Sequence, residues 1–420
     1  MQALVMSGFR FLFVVGVMFI FLGSNSFLFL LGLNLTDENA SLFQRLHPSF
    51  YLCLPLILVL ILSLFQNGFK IKIPRFVISN ELKILPWKSF FFYSFAVILS
   101  IICILLGVSH ASLMNTATTF LLPVICILGL TMIRSSQLVF LRNFIICLFI
   151  FNSIIGIIEN FFDFRLFPYI VNNVEATKDN RPTAWFSHPL NNALLTLLIL
   201  TYFLYSKKNE NKALVKNFSI LICGLALPCF GGRTALVVIV IFLLINYLKT
   251  LSLFVLIGRK YKSLLIQTVG ILSGFFVVLY LNQFGLFDNV IERFKDDGGS
   301  ADVRWGAFDL IADLEFSKIL FGVSDEWLMT VLHNYQLFTI EFSWLYLILK
   351  HGLLIAIILI LSLFLMLYRI SKVYGKPVNY MCFGFFIITF GYTSIASANL
   401  VLAQLLIMIF LLKKTGLKGV

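Results

Sequence analysis

The chain has 420 residues, of which 60% are hydrophobic and 12% charged, and its formal net charge is +13 at pH 7. Soluble globular chains average about 25% charged residues, so the composition excludes an ordinary water-soluble domain and indicates an integral membrane protein. The basic excess lies mostly between the apolar runs, which favours a topology signal over nucleic-acid binding.

Apolar segments recur along the whole chain, several of them close to the roughly 20 residues that cross a bilayer as a helix. In chain order we predict spans at 10–32, 50–69, 89–108, 117–133, 138–159, 188–205, 217–231, 233–249, 263–281, 352–369, 379–396 and 399–412. These segments predict an all-α, polytopic integral membrane protein with about twelve transmembrane helices.

The basic residues predict the orientation of these helices. With the N-terminus in the cytoplasm, the cytoplasmic side collects the basic segments 70–88, 206–216, 258–262, 368–376 and 413–419. Enrichment of Lys and Arg on that side is the usual signal of membrane topology. We therefore expect both termini in the cytoplasm and two long loops, 160–187 and 282–351, on the outer side.

The larger outer loop contains a predicted amphipathic helix in SADVRWGAFDLIADLEF, residues 300–316. Its apolar positions recur at helical spacing, at Val303, Ala307, Leu310, Ile311 and Leu314. Such a stripe is typical of a helix that lies in a membrane surface, so we expect this helix on the outer face of the membrane.

Ionisable groups are nearly absent from the predicted spans. Apart from Glu159, no carboxylate lies within them, whereas proton- or ion-coupled transporters normally keep such groups near the midplane. The seven cysteines lie in or beside apolar segments without a CxxC pair, and no cluster of carboxylates suggests a metal site. We therefore expect the chemistry at the outer surface, with no metal and no cofactor.

Three outer segments combine arginine, histidine and aromatic residues. They are DNRPTAWFSHPLNNA (179–193), the Gly231-Gly232-Arg233 turn between two helices, and the large loop up to its return into the membrane. Together they supply the candidate site residues Arg181, His188, Arg233, Arg304, Trp305, His333, Asn334, Tyr335 and Glu341. Two plainer interpretations stay open: an outer arginine can anchor to lipid phosphates, and His188 can cap the helix that begins at Pro189.

These segments, in this order, resemble the O-antigen polymerase and O-antigen ligase superfamily of bacterial envelope proteins. The shared pattern is an Arg before His-Pro, a small-residue turn ending in Arg, and a loop with a further Arg, a Gly turn, His-Asn and a closing Gly-Leu. The similarity covers about 175–370. The chain departs from the usual pattern in its Gly-Gly-Arg turn and in the longer gap between His333-Asn334 and Gly352.

The resemblance implies a glycosyltransferase in the bacterial inner membrane, with its active site and one large loop facing the periplasm. It divides the chain into N-terminal helices one to five (1–160), a polymerase- or ligase-like core (161–370) and the last two helices (371–420). The implied donor is an oligosaccharide on undecaprenyl diphosphate, and the implied reaction needs no metal. Membrane lipid and a chain-length regulator protein are the other expected partners.

The resemblance also suggests roles for the candidate residues. Arg181, Arg233 and Arg304 would divide the diphosphate and acceptor contacts, because the planar guanidinium binds phosphate oxygens in pairs. His333 or Glu341 would act as the general base. The remaining candidates would bind sugar or diphosphate, namely His188, Trp305, Asn334 and Tyr335.

Three functions remain to be weighed. We favour a polymerase that joins lipid-linked repeat units into O-antigen, capsular or exopolysaccharide. The alternative within the superfamily is a ligase that transfers finished polymer onto a lipid A core. The alternative from another class is an exporter of lipid-linked sugars, although exporters of this size usually show two matching halves and this chain shows no such repeat.

Overall fold

The computed structural model of the protein describes residues 2–33, 35, 42–66, 85–171, 174–175, 181–206, 213–257, 261–283, 285, 287–295, 300–335, 337, 340–392, 395 and 399–413. Most of the basic segments used to predict orientation, at 70–84, 207–212, 258–260 and 414–419, lie outside these residues. The cytoplasmic position of both termini therefore stays a prediction.

Helices dominate the described part of the chain. In chain order they are α1 (Gln2–Leu22), α2 (Asn25–Leu30), α3 (Leu42–Arg45), α4 (Pro48–Gln66), α5 (Trp87–Leu105), α6 (Leu113–Thr116), α7 (Leu122–Leu130), α8 (Ser135–Phe162), α9 (Pro189–Tyr205), α10 (Ala213–Cys229), α11 (Arg233–Ile257), α12 (Tyr261–Asn282), α13 (Asp288–Lys295), α14 (Ser300–Ala312), α15 (Phe316–Phe321), α16 (Asp325–Asn334), α17 (Ser343–His351), α18 (Leu353–Tyr374), α19 (Lys376–Phe390) and α20 (Val401–Lys413). Each apolar segment predicted as a span overlaps at least one of these helices.

Several helices have the length and composition of membrane spans. Among the described residues, five helical stretches qualify, namely Trp87–Leu105, Leu113–Leu130, Ser135–Phe162, Arg233–Leu256 and Leu353–Tyr374. Shorter apolar helices are Met6–Leu22, Pro48–Val59, Pro189–Tyr205, Ala213–Cys229 and Val401–Leu412. The protein is therefore a helical membrane protein, and twelve crossings stay a prediction.

The first predicted span, 10–32, is two helices rather than one. The break lies at Gly23, whose carbonyl bonds Nε2 of His47 at 2.8 Å. A Cβ on Gly23 would stand 2.9 Å from the same nitrogen, so only glycine allows this close approach. Ser24 then caps α2, because its hydroxyl accepts the backbone N–H of Phe27.

Two further details depart from regular helix. The predicted span 117–133 begins with a π-helical turn, Ala117–Leu121, which leads into α7. The loop 160–187 contains an antiparallel pair of two-residue strands, β1 (Ile170–Val171) and β2 (Val174–Glu175). Single π-turns occur frequently at functional sites, and this one lies beside a cavity described below.

One hydrophobic core joins the three segments into which the sequence was divided. Its buried members run from Phe13 in α1 to Leu412 in α20. Gln404 on α20 donates to the carbonyl of Ile20 and so joins the two ends of the chain. The hydroxyl of Tyr202 on α9 donates to the carbonyl of Leu412 and so joins α20 to the middle of the chain.

The large loop has a small core of its own. The predicted amphipathic helix is α14, and two residues of its apolar stripe, Ala307 and Leu310, are fully buried. They pack in one cluster with side chains from later in the loop, Val323, Leu328, Leu332, Leu337, Ile340 and Leu349. The loop thus buries this part of the stripe itself, which sequence spacing alone did not reveal.

His47 predicts a pH dependence of stability. Its side chain is 2% exposed just before α4, and burial lowers its pKa to about 4. The neutral ring is therefore favoured in the folded protein, and its stabilisation is complete above pH 6.5 and is lost as the pH falls towards 4. As the pH is lowered, we expect the unfolding free energy of His47→Gln to fall less than that of the wild type, by up to ~3 kcal/mol.

Thermal unfolding of the purified protein between pH 7 and pH 4 measures this effect. His110→Gln is the control, because that histidine is exposed, and it should keep the wild-type pH slope. An unchanged slope in His47→Gln would show that another group carries the acid sensitivity.

Candidate functional site

The turn at Gly231-Gly232-Arg233 is the tight connection that the sequence predicts. Gly231 has a φ of +65°, a conformation that glycine adopts without strain, and its N–H donates to the carbonyl of Pro228. Gly232 lies against α9, where a Cβ would stand only 2.4 Å from Cβ of Ala193. Arg233 follows at once as the first residue of α11 and is half-buried.

A cavity of about 400 Å³ opens at this turn. We call it the arginine cavity, and its described lining includes Arg181, Arg233, Glu341 and Tyr392. Its size falls within the roughly 300–1,000 Å³ of small-molecule sites. Three candidate residues that are widely separated in sequence therefore line one space. Among the described residues no group of three His, Cys, Asp or Glu side chains is placed to hold a metal ion.

Glu341 reaches this cavity because the start of α17 is tied to the segment after α19. The hydroxyl of Ser343, the first residue of α17, donates to the carbonyl of Tyr392. The same hydroxyl accepts the backbone N–H of Ile395 at 3.4 Å. Glu341 lies two residues before this anchor, so its position depends on packing between distant parts of the chain.

Arg181 belongs to a loop that Glu159 holds in place. The Glu159 side chain is 2% exposed. Its carboxylate oxygens accept the backbone N–H of Leu166 at 2.8 Å, of Thr183 at 2.9 Å and of Ala184 at 2.8 Å. Bonds from backbone N–H groups satisfy a buried carboxylate without a cation. Glu159 thus fixes both ends of the loop that carries Arg181.

The same loop stores backbone strain. Asp163, Ala184 and Ser187 have positive φ values of 49°, 39° and 57°, which costs of order 1–3 kcal/mol for a residue with a side chain. The bond from Ala184 to Glu159 and a bond from the N–H of Trp185 to Oδ1 of Asn152 at 2.9 Å hold this conformation. Such strain persists only where surrounding contacts over-determine it.

His188 has the capping role that the sequence left open. It is the N-cap of α9, and its Nδ1 accepts the backbone N–H of Leu190 at 3.1 Å. Its Nε2 bonds the hydroxyl of Tyr169 at 3.0 Å, and its ring packs against Tyr392 with centroids 5.1 Å apart. His188 lines a second cavity, not the arginine cavity.

This second cavity, which we call the polar cavity, has a volume of about 380 Å³. It lies between the start of α9, the end of α1 with the start of α2, the π-helical turn and the segment before α20. Tyr392 lines both cavities. The hydroxyl of this tyrosine donates to Oδ1 of Asn191 at 2.9 Å.

Four other candidate residues, Trp305, His333, Asn334 and Tyr335, line neither cavity. Trp305 on α14 is 70% exposed, and His333 and Asn334 are exposed at the end of α16. The hydroxyl of Tyr335 donates to the carboxylate of Asp313. The side chain of Arg304 lies outside the described part of the structure, although its backbone is in α14.

Sequence reasoning missed several residues that build the site. Glu159 had a signal, because it was the single carboxylate within a predicted span. Tyr392 lies in GYTSIASAN (391–399), a run of small and polar residues that the predicted span 379–396 partly covered. Its described residues Tyr392 and Asn399 lie between α19 and α20 and line a cavity, a place where non-helical backbone is tolerated in membrane proteins.

The contact between Gly232 and Ala193 can be tested by a double-mutant cycle. We expect Gly232→Ala to lower the free energy of unfolding by about 1–3 kcal/mol, because its methyl would overlap the methyl of Ala193. Adding Ala193→Gly should restore part of that loss, with a coupling of about 1 kcal/mol or more. Gly224→Ala is the control, since a Cβ there meets nothing within 4 Å. Strictly additive single effects would contradict the close contact.

Comparison of the chain with family models, with curated proteins and with solved structures finds no match.

Proposed function

We propose that the protein is a membrane glycosyltransferase that polymerises oligosaccharide repeat units carried on a polyprenyl diphosphate. The observation that supports this proposal is the arginine cavity, where Arg181 and Arg233 line one space together with Glu341. Two guanidinium groups suit a diphosphate, and a carboxylate beside them suits a proton acceptor.

The reaction needs both kinds of group. An acceptor hydroxyl oxygen attacks the anomeric carbon of the donor sugar, a new glycosidic bond forms, and the bond from that carbon to the diphosphate oxygen breaks. The electron pair leaves with the diphosphate, so negative charge grows there. Fixed donors aimed at such charge contribute about 10²–10³-fold each. Arg181 and Arg233 take this role, and the hydroxyl proton passes to a base.

Glu341 is the base in this proposal. It lines the arginine cavity, whereas the rival candidate His333 is exposed on α16 and lines neither cavity. We expect Glu341→Gln to lower the polymerisation rate by about 10²-fold or more, and His333→Gln to retain the wild-type rate within a factor of about three. The opposite ranking of the two variants would assign the base to His333.

The location follows from the predicted topology. The site faces the periplasm of a bacterial inner membrane, because the basic segments predicted to be cytoplasmic lie at the other ends of the predicted spans. Polyprenyl-linked repeat units would reach the cavity from the membrane, and a chain-length regulator would be a protein partner.

Surface polysaccharide in cells tests the proposal. The chromosomal gene is replaced by Arg233→Ala, by Arg304→Ala or by the wild type, and surface and carrier-linked material are separated on gels. Single repeat units on the surface of the Arg233→Ala strain support the polymerase. Finished polymer retained on the polyprenyl carrier would indicate a ligase instead. Complete surface polymer in either variant would remove that arginine from the mechanism.

A further inference from the structure

The polar cavity has a different chemical character from the arginine cavity. Among its described lining residues, Arg45 is the one with a permanently charged side chain. Most of the others are uncharged hydrogen-bonding residues, including Asn115, Thr118, Asn191 and Gln404. A lining of this kind favours a ligand that carries many hydroxyl groups and no charge.

Two of these side chains have their amide orientation fixed by the protein. Oδ1 of Asn191 accepts the Tyr392 hydroxyl at 2.9 Å and Nδ2 of Asn399 at 3.3 Å. Its own Nδ2 hydrogens are not used in these bonds. Nε2 of Gln404 donates to the carbonyl of Ile20 at 2.9 Å, which keeps its Oε1 available as an acceptor. The cavity lining therefore includes a donor on α9 and an acceptor on α20 whose orientations the protein fixes.

The two imidazoles of the cavity are neutral. Nδ1 of His188 accepts the N–H of Leu190, which a protonated imidazolium cannot do. His47 directs Nε2 to the carbonyl of Gly23, and its Nδ1 accepts the backbone N–H of Ser49 at 3.3 Å. Both rings are thus bonded within the protein through both nitrogens and add no positive charge to the cavity. In its described lining the polar cavity has the one permanent cation Arg45, whereas two arginines, Arg181 and Arg233, line the arginine cavity.

Aromatic rings complete the chemistry of a sugar site. Tyr392, Tyr169 and Phe186 line the polar cavity beside His188. Flat rings provide apolar surface against which one face of a pyranose can pack, while its hydroxyls reach the amides. Tyr392 also lines the arginine cavity, so the two cavities adjoin at this residue.

We propose that the polar cavity is a binding site for an uncharged sugar unit, next to the diphosphate in the arginine cavity. The identification of that unit as part of the substrate rests on the proposed function. The observations that support sugar binding come from the polar cavity alone. Sugar binding and the proposed function are therefore tested separately.

Saturation-transfer NMR on the purified protein in nanodiscs tests the site. The probes are methyl glycosides of an uncharged hexose, a 6-deoxyhexose and an N-acetylhexosamine, with a methyl glycuronide as the charged comparison. We expect at least one uncharged glycoside to bind the wild-type protein, and the glycuronide to bind more weakly.

The variants locate the binding. Asn25 is exposed and lines the polar cavity, so Asn25→Trp obstructs its rim without changing the buried core, and Gln404→Leu removes the preset acceptor. Both should weaken glycoside binding by about tenfold or more. The control Asn217→Trp changes an exposed asparagine on α10 that lines neither cavity, and it should bind as the wild type does.

Two results would overturn the site: no uncharged glycoside binds, or binding is unchanged in Asn25→Trp. Inorganic pyrophosphate tests the arginine cavity in the same samples. Equal pyrophosphate affinity in Arg233→Gln and in the wild type would contradict the proposed function. In that case, a loss of glycoside binding confined to Asn25→Trp and Gln404→Leu would still support the sugar site.

Discussion

Replacing Arg233 with lysine is expected to lower the polymerisation rate about 10²-fold while the protein stays folded. Arg233 begins α11 at a turn shaped by two glycines, and its guanidinium lines the arginine cavity. Lysine keeps the positive charge but loses the planar pair of donors that matches phosphate oxygens. A loss of one such fixed contact in a transition state is typically worth about 10²–10³-fold in rate.

The measurement is the rate at which purified protein in nanodiscs converts lipid-linked repeat units into longer products on a gel. Arg369→Lys is the matched control, because Arg369 is exposed on α18 and lines neither cavity. Wild-type rates in Arg233→Lys would mean that charge alone suffices at this position, or that Arg233 only anchors to lipid headgroups.

Replacing Glu159 with alanine is expected to detach the loop that carries Arg181. Three backbone N–H groups would lose the carboxylate that accepts them, and buried donors without a partner cost about 1–3 kcal/mol each. The strained residue Ala184 would lose one of the bonds that hold it. We expect a loss of about 3 kcal/mol or more in unfolding free energy.

The variant Glu159→Gln tests whether the size of the side chain, without its negative charge, is enough to hold the loop. Glu159→Gln keeps the shape, but its amide nitrogen can only donate, so it cannot accept the N–H groups of both Leu166 and the Thr183–Ala184 pair. It should therefore also destabilise the loop. Glu315→Ala, at a glutamate side chain that is 71% exposed, is the control and should change stability by less than about 0.5 kcal/mol.

Trypsin cleavage after Arg165 reports on this loop directly. The N–H of Leu166, at the cleaved bond, is held by Glu159 in the folded protein. We expect rapid cutting at this bond in both Glu159 variants and slow cutting in the wild type and in Glu315→Ala. Equal cutting in all four proteins would show that Glu159 does not hold the loop.

The helices were predictable because the signal for them is local. Long apolar runs predicted the segments that form the apolar helices. Gly231-Gly232 correctly predicted the turn before Arg233. The break at Gly23 has a local signal in Ser24, which caps α2. The contact of His47 with the Gly23 carbonyl has none, because His47 approaches from another part of the chain.

The site was predictable only in part, for the same reason. Arg181 and Arg233 stood out because they are arginines on either side of apolar helices, and both line the arginine cavity. Trp305 and His333 stood out by residue type, yet α14 and α16 pack into the loop's own core and leave them exposed. Tyr392 did not stand out by residue type, and its role as a shared wall arises from packing between α9, α17 and the segment after α19.

A structure of the protein in nanodiscs with a polyprenyl diphosphate bound would test the central claim most directly. The measured quantity is the position of the two phosphorus atoms. We predict that both phosphates lie in the arginine cavity, with oxygens within hydrogen-bond distance of the guanidinium groups of Arg181 and Arg233. A diphosphate bound instead at the large loop, beside α14 and His333, would contradict the account.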